Sequence, residues 1–108
     1  MLISGFIVLI LNCCKKDEYQ NLNCLPMPVT YTSAIKAIID ANCISSGCHN
    51  SGSPHGNYTT YDGVLIRANN GTLSKRVLYT KDMPKNSTLT LDDRKKIKCW
   101  IDSGAPKN

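Results

Sequence analysis

Two cysteines and a histidine stand close together in the segment 43–49, which reads Cys-Ile-Ser-Ser-Gly-Cys-His. Each thiol of such a pair can add to one vinyl group of a haem and form a thioether. The histidine directly after the second cysteine can then bind the iron through a ring nitrogen. The segment therefore predicts covalent haem attachment, with Cys43 and Cys48 as the thioether positions and His49 as the proximal ligand.

The four residues between the cysteines require a loop, because the vinyl groups of a haem are a fixed distance apart and the usual spacing is two residues. Ser45, Ser46 and Gly47 are small turn-forming residues, and glycine adopts positive φ without strain. Two other interpretations fit the same residues. They are a disulfide between Cys43 and Cys48, and half of a zinc site, which would need two further ligands.

A second iron ligand is predicted in the segment 81–86, Lys-Asp-Met-Pro-Lys-Asn. Pro84 has no N–H and biases Met83 away from the α conformation, so this loop can lie extended across a haem and present a thioether sulfur. His/Met ligation raises the reduction potential of the iron. A buried methionine that fills a gap in the core is the structural alternative. His55 and Lys85 are the alternative ligands, although a loop histidine is more often solvated.

Composition sets broad limits on the class of protein. The length of 108 residues indicates one domain, and six cysteines in so short a chain indicate an exported, oxidising compartment. The hydrophobic fraction of 42% suits a domain that builds its core around a cofactor. The net charge of +5 favours acidic partners. No predicted helix carries a basic stripe interleaved with aromatics, so no nucleic-acid partner is expected.

Periodic apolar residues predict the helices that position the candidate ligands. Residues 32–42, 61–69 and 88–103 are predicted helices, and residues 72–79 a short helical turn. The predicted caps are Thr32 or Ser33, Thr59 or Thr60, and Thr90. The predicted inward-facing residues are Ile35, Ile38, Ile39, Val64, Leu65, Leu73, Val77, Leu78, Ile97, Trp100 and Ile101. The first helix delivers Cys43, and Arg94, Lys95, Lys96 and Lys98 form a solvated face of the last.

The N-terminal residues indicate export. The apolar run 2–11 is shorter than the about 20 residues of a membrane-spanning helix and has the length of a signal-peptide core. The following Leu-Asn-Cys-Cys-Lys-Lys-Asp resembles a bacterial lipoprotein signal, in which Cys14 receives the lipid. Cleavage before Cys14 leaves the small Cys13 as the last residue of the signal peptide. The alternative is a buried N-terminal strand or helix. We expect a signal peptide and lipobox at 1–14, a tether at 15–30 and one folded domain at 31–108.

From about residue 30 onward, the chain resembles small class I c-type cytochromes, and most of all the lipoprotein cytochrome domains of Bacteroidetes. The resemblance rests on a helix leading into the 43–49 segment, on Tyr-Asp-Gly at 61–63, on Met-Pro at 83–84 and on Trp-Ile-Asp-Ser-Gly-Ala-Pro at 100–106. It implies an all-α, cytochrome c-like fold of three to five helices around one covalently bound haem, with the terminal helices crossing. By resemblance, Cys43 and Cys48 carry the haem c, His49 is the proximal ligand and Met83 the distal one.

Counting the cysteines predicts a disulfide. Cys13 leaves with the signal peptide and Cys14 takes the lipid, while two further cysteines take the haem. Cys24 and Cys99 remain, in a compartment where free thiols seldom persist. We predict that they pair, with Cα atoms within about 7 Å; the crossing of terminal helices that the resemblance implies makes this meeting plausible. The alternative is a buried free Cys99 and a loose Cys24.

Three functions compete at this point. The leading hypothesis is an electron carrier on the periplasmic side of a bacterial membrane, with no enzymatic activity and no small-molecule substrate. Its expected partner is a redox protein with an acidic docking surface, steered by Lys75, Arg76, Lys81 and Lys85. The second hypothesis is a haem enzyme or ligand sensor with a labile Met83. The third is a cofactor-free binding lipoprotein stapled by disulfides.

Overall fold

The computed structural model describes residues 19, 22–24, 28–45 and 47–108. Helices and connecting loops make up these ranges, and they contain no β-strand, so the described part of the chain is all-α as predicted. The predicted signal peptide and the lipid-attachment residue Cys14 lie outside the described residues. Within the ranges described, none of the helices has the length and apolar character needed to cross a membrane.

The helices occupy the segments that periodicity predicted, except that the last helix begins at Leu91, three residues later than predicted, and ends at Asp102, one residue earlier. A π-helical turn, Tyr31–Ile35, continues into helix α1, Lys36–Asn42. Helix α2 spans Tyr61–Asn69, and the short α3, Thr72–Ser74, continues into a second π-helical turn, Lys75–Tyr79. Helix α4 spans Leu91–Asp102. Thr60 and Thr90 cap α2 and α4, because their hydroxyl oxygens accept from the backbone N–H groups of Gly63 and Asp93.

The first helix begins one residue earlier than predicted, and neither Thr32 nor Ser33 is its cap. Thr30 is the cap: its hydroxyl accepts from the N–H of Ser33 at 3.0 Å, and the Ser33 hydroxyl accepts from the N–H of Thr30 at 3.0 Å. This reciprocal pair satisfies two backbone donors that the helix leaves unpaired. Thr32 instead donates its hydroxyl to the carbonyl of Lys107 at 2.8 Å.

The core joins the first helix to the last. Trp100 is fully buried, and its indole N–H donates to the carbonyl of Pro106 at 2.9 Å. The ring of Tyr31 packs against those of Trp100 and Tyr61, with centroids 6.2 and 5.2 Å apart. The predicted inward residues Ile35, Ile38, Ile39, Val64, Leu73, Val77, Leu78 and Ile97 are all buried in this core. Leu65 and Ile101, also predicted to face inward, are only partly buried against it. Contacts of Trp100 with both Tyr31 and Pro106 explain why the final residues turn back along the first helix.

A disulfide joins Cys24 to Cys99 on α4, with the Cα atoms 5.5 Å apart, which confirms the predicted pair. Tyr19 is 3% exposed and belongs to the same core. Part of the segment predicted as a tether is therefore packed on the domain. The described residues of that segment carry no regular secondary structure.

Candidate functional site

Backbone hydrogen bonds close the 43–49 loop on itself. Cys43 directly follows α1, and its N–H donates to the carbonyl of Ile39 at 2.8 Å. The N–H of His49 donates back to the carbonyl of Cys43 at 2.9 Å, and that of Cys48 donates to Ser45 at 2.9 Å. These bonds bring the two ends of the loop together despite the long spacing between the cysteines.

Gly47 adopts a φ of 82°, the left-handed conformation that its place in the turn predicted. Both cysteines of the loop are free thiols, so the structure does not contain the alternative Cys43–Cys48 disulfide. Cys43 is 8% exposed, whereas Cys48 is half-buried. Burial, helped by the neighbouring Cys48, raises the pKa of the Cys43 thiol to about 11.

His49 is held by hydrogen bonds that assign roles to its ring nitrogens. Its Nδ1 lies 3.2 Å from the carbonyl oxygen of Gly56. A carbonyl oxygen only accepts, so Nδ1 carries the hydrogen and Nε2 keeps the lone pair that a metal needs. The backbone carbonyl of His49 accepts from the N–H of Tyr58 at 2.8 Å. The loop 50–58 therefore holds the histidine through both backbone and side chain.

Gly63 allows the loop 50–58 to lie directly on α2. A Cβ atom at this position would be 1.8 Å from the carbonyl oxygen of Asn57, a distance that no side chain can occupy. Gly63 of the Tyr-Asp-Gly segment at 61–63 is therefore needed for a close backbone approach. Because Asn57 is adjacent to Tyr58, this contact also positions the residues that hold His49.

Met83 lies in a loop anchored to the second π-helical turn. Its side chain is half-buried against the core, and its N–H donates to the carbonyl of Arg76 at 3.2 Å. Asp82 accepts from the Thr80 hydroxyl at 2.6 Å and forms an ion pair with Arg76. These partners, Thr80 first and then Arg76, lower the pKa of the Asp82 carboxyl. Residues 81–86 form no helix, in agreement with the predicted irregular loop, whereas residues 88–90, predicted as the start of the last helix, also lie outside it.

All four predicted ligand residues line one cavity of about 880 Å³. Cys43, Cys48 and His49 enter it from the 43–49 loop, and Met83 enters it from the 81–86 loop. The volume lies in the upper part of the roughly 300–1,000 Å³ range of ligand pockets. Other wall residues are Pro54, His55, Tyr58, Arg67, Leu73, Arg76, Val77 and Lys85. The fold therefore brings together residues that are up to 40 positions apart in the sequence.

No family model, curated protein or solved structure matches the chain. The assignment of a function therefore depends on the chemistry of the cavity. Within the described ranges, no three or more His, Cys, Asp and Glu side chains group as ligands of a metal ion. The zinc alternative for Cys43 and Cys48 thus gains no support from those residues.

Two cavity residues, Tyr58 and Arg67, were not among the predicted site residues. Tyr58 is 6% exposed although it lies in a polar loop, and an isolated aromatic residue in such a loop is the signal that could have identified it. Arg67 is the one basic residue of α2, and the side chain lies over Gly56. His55 is exposed at the cavity wall, as expected for a loop histidine.

Proposed function

We propose that this chain is a monohaem c-type cytochrome that carries one electron at a time and is tethered to a membrane through a lipid on Cys14. The observation that supports the proposal is the meeting of four side chains on one cavity. Two free thiols and a histidine with an available Nε2 come from one loop, and a methionine comes from another. No other common cofactor uses this set of donors in this order along the chain.

The residues present fit a haem. Cys43 and Cys48 would hold it covalently, with His49 and Met83 as the axial ligands. Apolar wall residues such as Leu73 suit the porphyrin, and the basic Arg67, Arg76 and Lys85 suit its carboxylates. A bound haem would supply an iron atom that alternates between two oxidation states.

The anchoring of Met83 favours electron transfer over enzymatic or sensory chemistry. Arg76 holds the loop through its backbone carbonyl and, by way of Asp82, through its side chain. A methionine held in this way would stay available to the iron of a bound haem, so a substrate or gas would find no open coordination site. The partner we propose is a redox protein with an acidic surface, because Lys75, Lys81 and Lys85 are exposed near this loop.

An absorbance spectrum of the purified protein tests the proposal. The chain is expressed in bacteria that attach haem to exported proteins, beside a Cys43→Ser/Cys48→Ser control that cannot form thioethers. We expect haem that stays with the denatured wild-type chain and a reduced spectrum typical of six-coordinate c-type haem. A five-coordinate spectrum would support the enzyme or sensor alternative. The lack of any Soret band in an exported, folded chain would contradict the cytochrome proposal and favour a binding lipoprotein.

A further inference from the structure

The imidazole of His49 lies flat against the phenol ring of Tyr58. The ring centroids are 4.0 Å apart, and the ring planes differ by 9°. Stacking of this kind fixes the plane of the imidazole, whereas the Nδ1 hydrogen bond to Gly56 fixes its rotation within that plane. Together the two contacts determine the direction in which Nε2 points.

Tyr58 is itself held rigidly. Its side chain is 6% exposed, and burial raises the pKa of its hydroxyl, although nearby Arg67 opposes this shift. Its N–H bonds to the carbonyl of the same histidine on which its ring stacks. Burial therefore restricts the ring of Tyr58, and the backbone bond ties its position along the chain to that of His49.

Gly56 and Arg67 also support the imidazole of His49, through the carbonyl group to which its Nδ1 is bonded. A Cβ atom at Gly56 would meet the Arg67 guanidinium at 3.3 Å and the Tyr58 ring at 3.5 Å, so both side chains pack against this glycine. Gly56 also has a φ of 104°, a conformation that other residues rarely adopt. The carbonyl that accepts from His49 thus belongs to a residue that is covered by Arg67 and bordered by Tyr58.

We propose that Tyr58 is a positioning residue that sets the ring plane of His49 before any cofactor is attached. It does not bind the iron; it restricts the imidazole so that Nε2 is presented to the cavity, as partners of metal-ligating histidines commonly do. The inference rests on the proposed function only in its consequence, namely that the oriented imidazole binds an iron atom. The orientation is a property of the chain alone, so it can be measured without haem.

Nuclear magnetic resonance of the full chain without haem, with labelled histidine, observes the ring directly. The chain has two histidines, and a His55→Gln variant assigns their signals. We expect the carbon-bound ring protons of His49 to be shifted upfield relative to those of exposed His55, because they lie over an aromatic face. Tyr58→Phe should keep this shift, and Tyr58→Leu should lose it.

Tyr31→Leu is the matched control, since it also removes a buried tyrosine ring but leaves the environment of His49 intact. If Tyr58→Leu does not fold, Tyr58→Met replaces it as the non-aromatic variant. In the haem-loaded protein, electron paramagnetic resonance should give one set of g-values for wild type and Tyr58→Phe. Tyr58→Leu should give broadened or additional sets, as expected for an imidazole whose plane is no longer fixed.

The result that overturns the inference is a wild-type His49 whose ring protons resonate where those of His55 do, or an upfield shift that survives in the non-aromatic variant. Unchanged g-values in that variant would overturn it while leaving the cytochrome proposal intact. A chain that never takes up haem would instead contradict the proposed function. The resonance measurement on the haem-free chain would still decide the role of Tyr58.

Discussion

Cys43 and Cys48 carry the same thiol group in different surroundings. Cys43 closes the C-terminal end of α1 and is buried, whereas Cys48 stands in a turn and is half-buried. The thiolate is the reactive form of cysteine, and burial in an apolar environment disfavours that charge. The two thioether positions of the proposed site should therefore differ in reactivity.

Alkylation of the unloaded chain with iodoacetamide tests this difference. With a pKa of about 11, only about 0.1% of Cys43 is thiolate at pH 8, so we expect Cys48 to be labelled first. A rise from pH 8 to pH 10 should speed the labelling of Cys43 about 100-fold. Mass spectrometry of peptides follows each site, and the disulfide-bonded Cys24 serves as the unreactive control. Equal rates at both thiols would contradict the burial of Cys43.

Met83→Ala tests the distal ligand. We expect haem to remain attached, the distal position to open and the reduction potential to fall, because thioether ligation favours the reduced iron. Redox titration and the absorbance spectrum measure both effects, and His49→Ala is the contrasting variant, which should prevent a stable holoprotein. An unchanged spectrum and potential in Met83→Ala would move the assignment to His55 or Lys85.

Contacts between loops and helices hold these residues in place, and the apolar periodicity of the sequence does not predict such contacts. The loop 50–58 rests on α2 at Gly63, and the 81–86 loop rests on the second π-helical turn. On α4, Lys96 pairs with Asp92 at 3.0 Å and its side chain is 43% exposed, in agreement with a solvated face. Lys98 pairs with Asp102, but its side chain is only 19% exposed, so it does not lie on a fully solvated face. Arg94 differs, because its guanidinium donates to the carbonyls of Val77 and Leu89 at 3.2 and 2.6 Å. It thereby ties α4 to the preceding segments.

Gly63→Ala should separate the loop 50–58 from α2. The added methyl group would overlap the carbonyl of Asn57, so we expect a loss of about 3 kcal/mol in the free energy of unfolding, at the upper end for overpacked sites. Denaturant titration followed by circular dichroism measures it. Ile66→Ala, on the same helix and 62% exposed, is the control and should change stability by less than about 0.5 kcal/mol. Equal stabilities of the two variants would show that the close approach is not required.

At the scale of the whole molecule, one covalent bond and one set of charges act over long distances. The Cys24–Cys99 disulfide joins residues 75 positions apart, so it encloses most of the domain. Exposed Lys85 lines the cavity, whereas Lys96 and Lys98 of α4 pair with neighbouring aspartates. The disulfide affects the stability of the fold, and the charges affect encounters with a partner.

Removal of the disulfide by Cys24→Ala/Cys99→Ala should reduce the free energy of unfolding by roughly 2–4 kcal/mol, because a closed loop of this length restricts the unfolded chain. Denaturant titration of wild type and variant, each with and without reductant, gives the measurement. Reductant should destabilise the wild type and leave the double variant unchanged. A wild type that is insensitive to complete reduction would contradict a stabilising role.

Electron-transfer rates should fall as salt rises, if an acidic partner is steered to the cavity. Exposed charges are screened beyond about 10 Å at 0.1 M ionic strength, so association slows when they contribute. Lys85→Gln should lower the rate at low salt and have little effect at high salt. Lys98→Gln, whose charge is paired with Asp102, is the control. Stopped-flow kinetics with an acidic redox protein provides the test, and a rate independent of salt would contradict the steering.

The helical segments, apart from the start of the last helix, most of the buried helix residues and the four candidate residues on the cavity could be predicted from the sequence alone. Local features carry that information: apolar spacing, Thr60 and Thr90 as caps, and a histidine placed directly after a cysteine. The pairing of Cys24 with Cys99 could also be predicted, because counting left no other partner. These inferences depend only on residues that are close together in the sequence or on the number of cysteines.

The tertiary structure decided what depends on contacts between distant segments. The first cap is Thr30, which forms a capping box with Ser33, while Thr32 bonds to Lys107 at the other end of the domain. The stacking of Tyr58 on His49 and the packing of Arg67 over Gly56 arise only when the loop 50–58 lies on α2. No spacing in the sequence encodes such approaches, since they depend on how the backbone of one element fits against another.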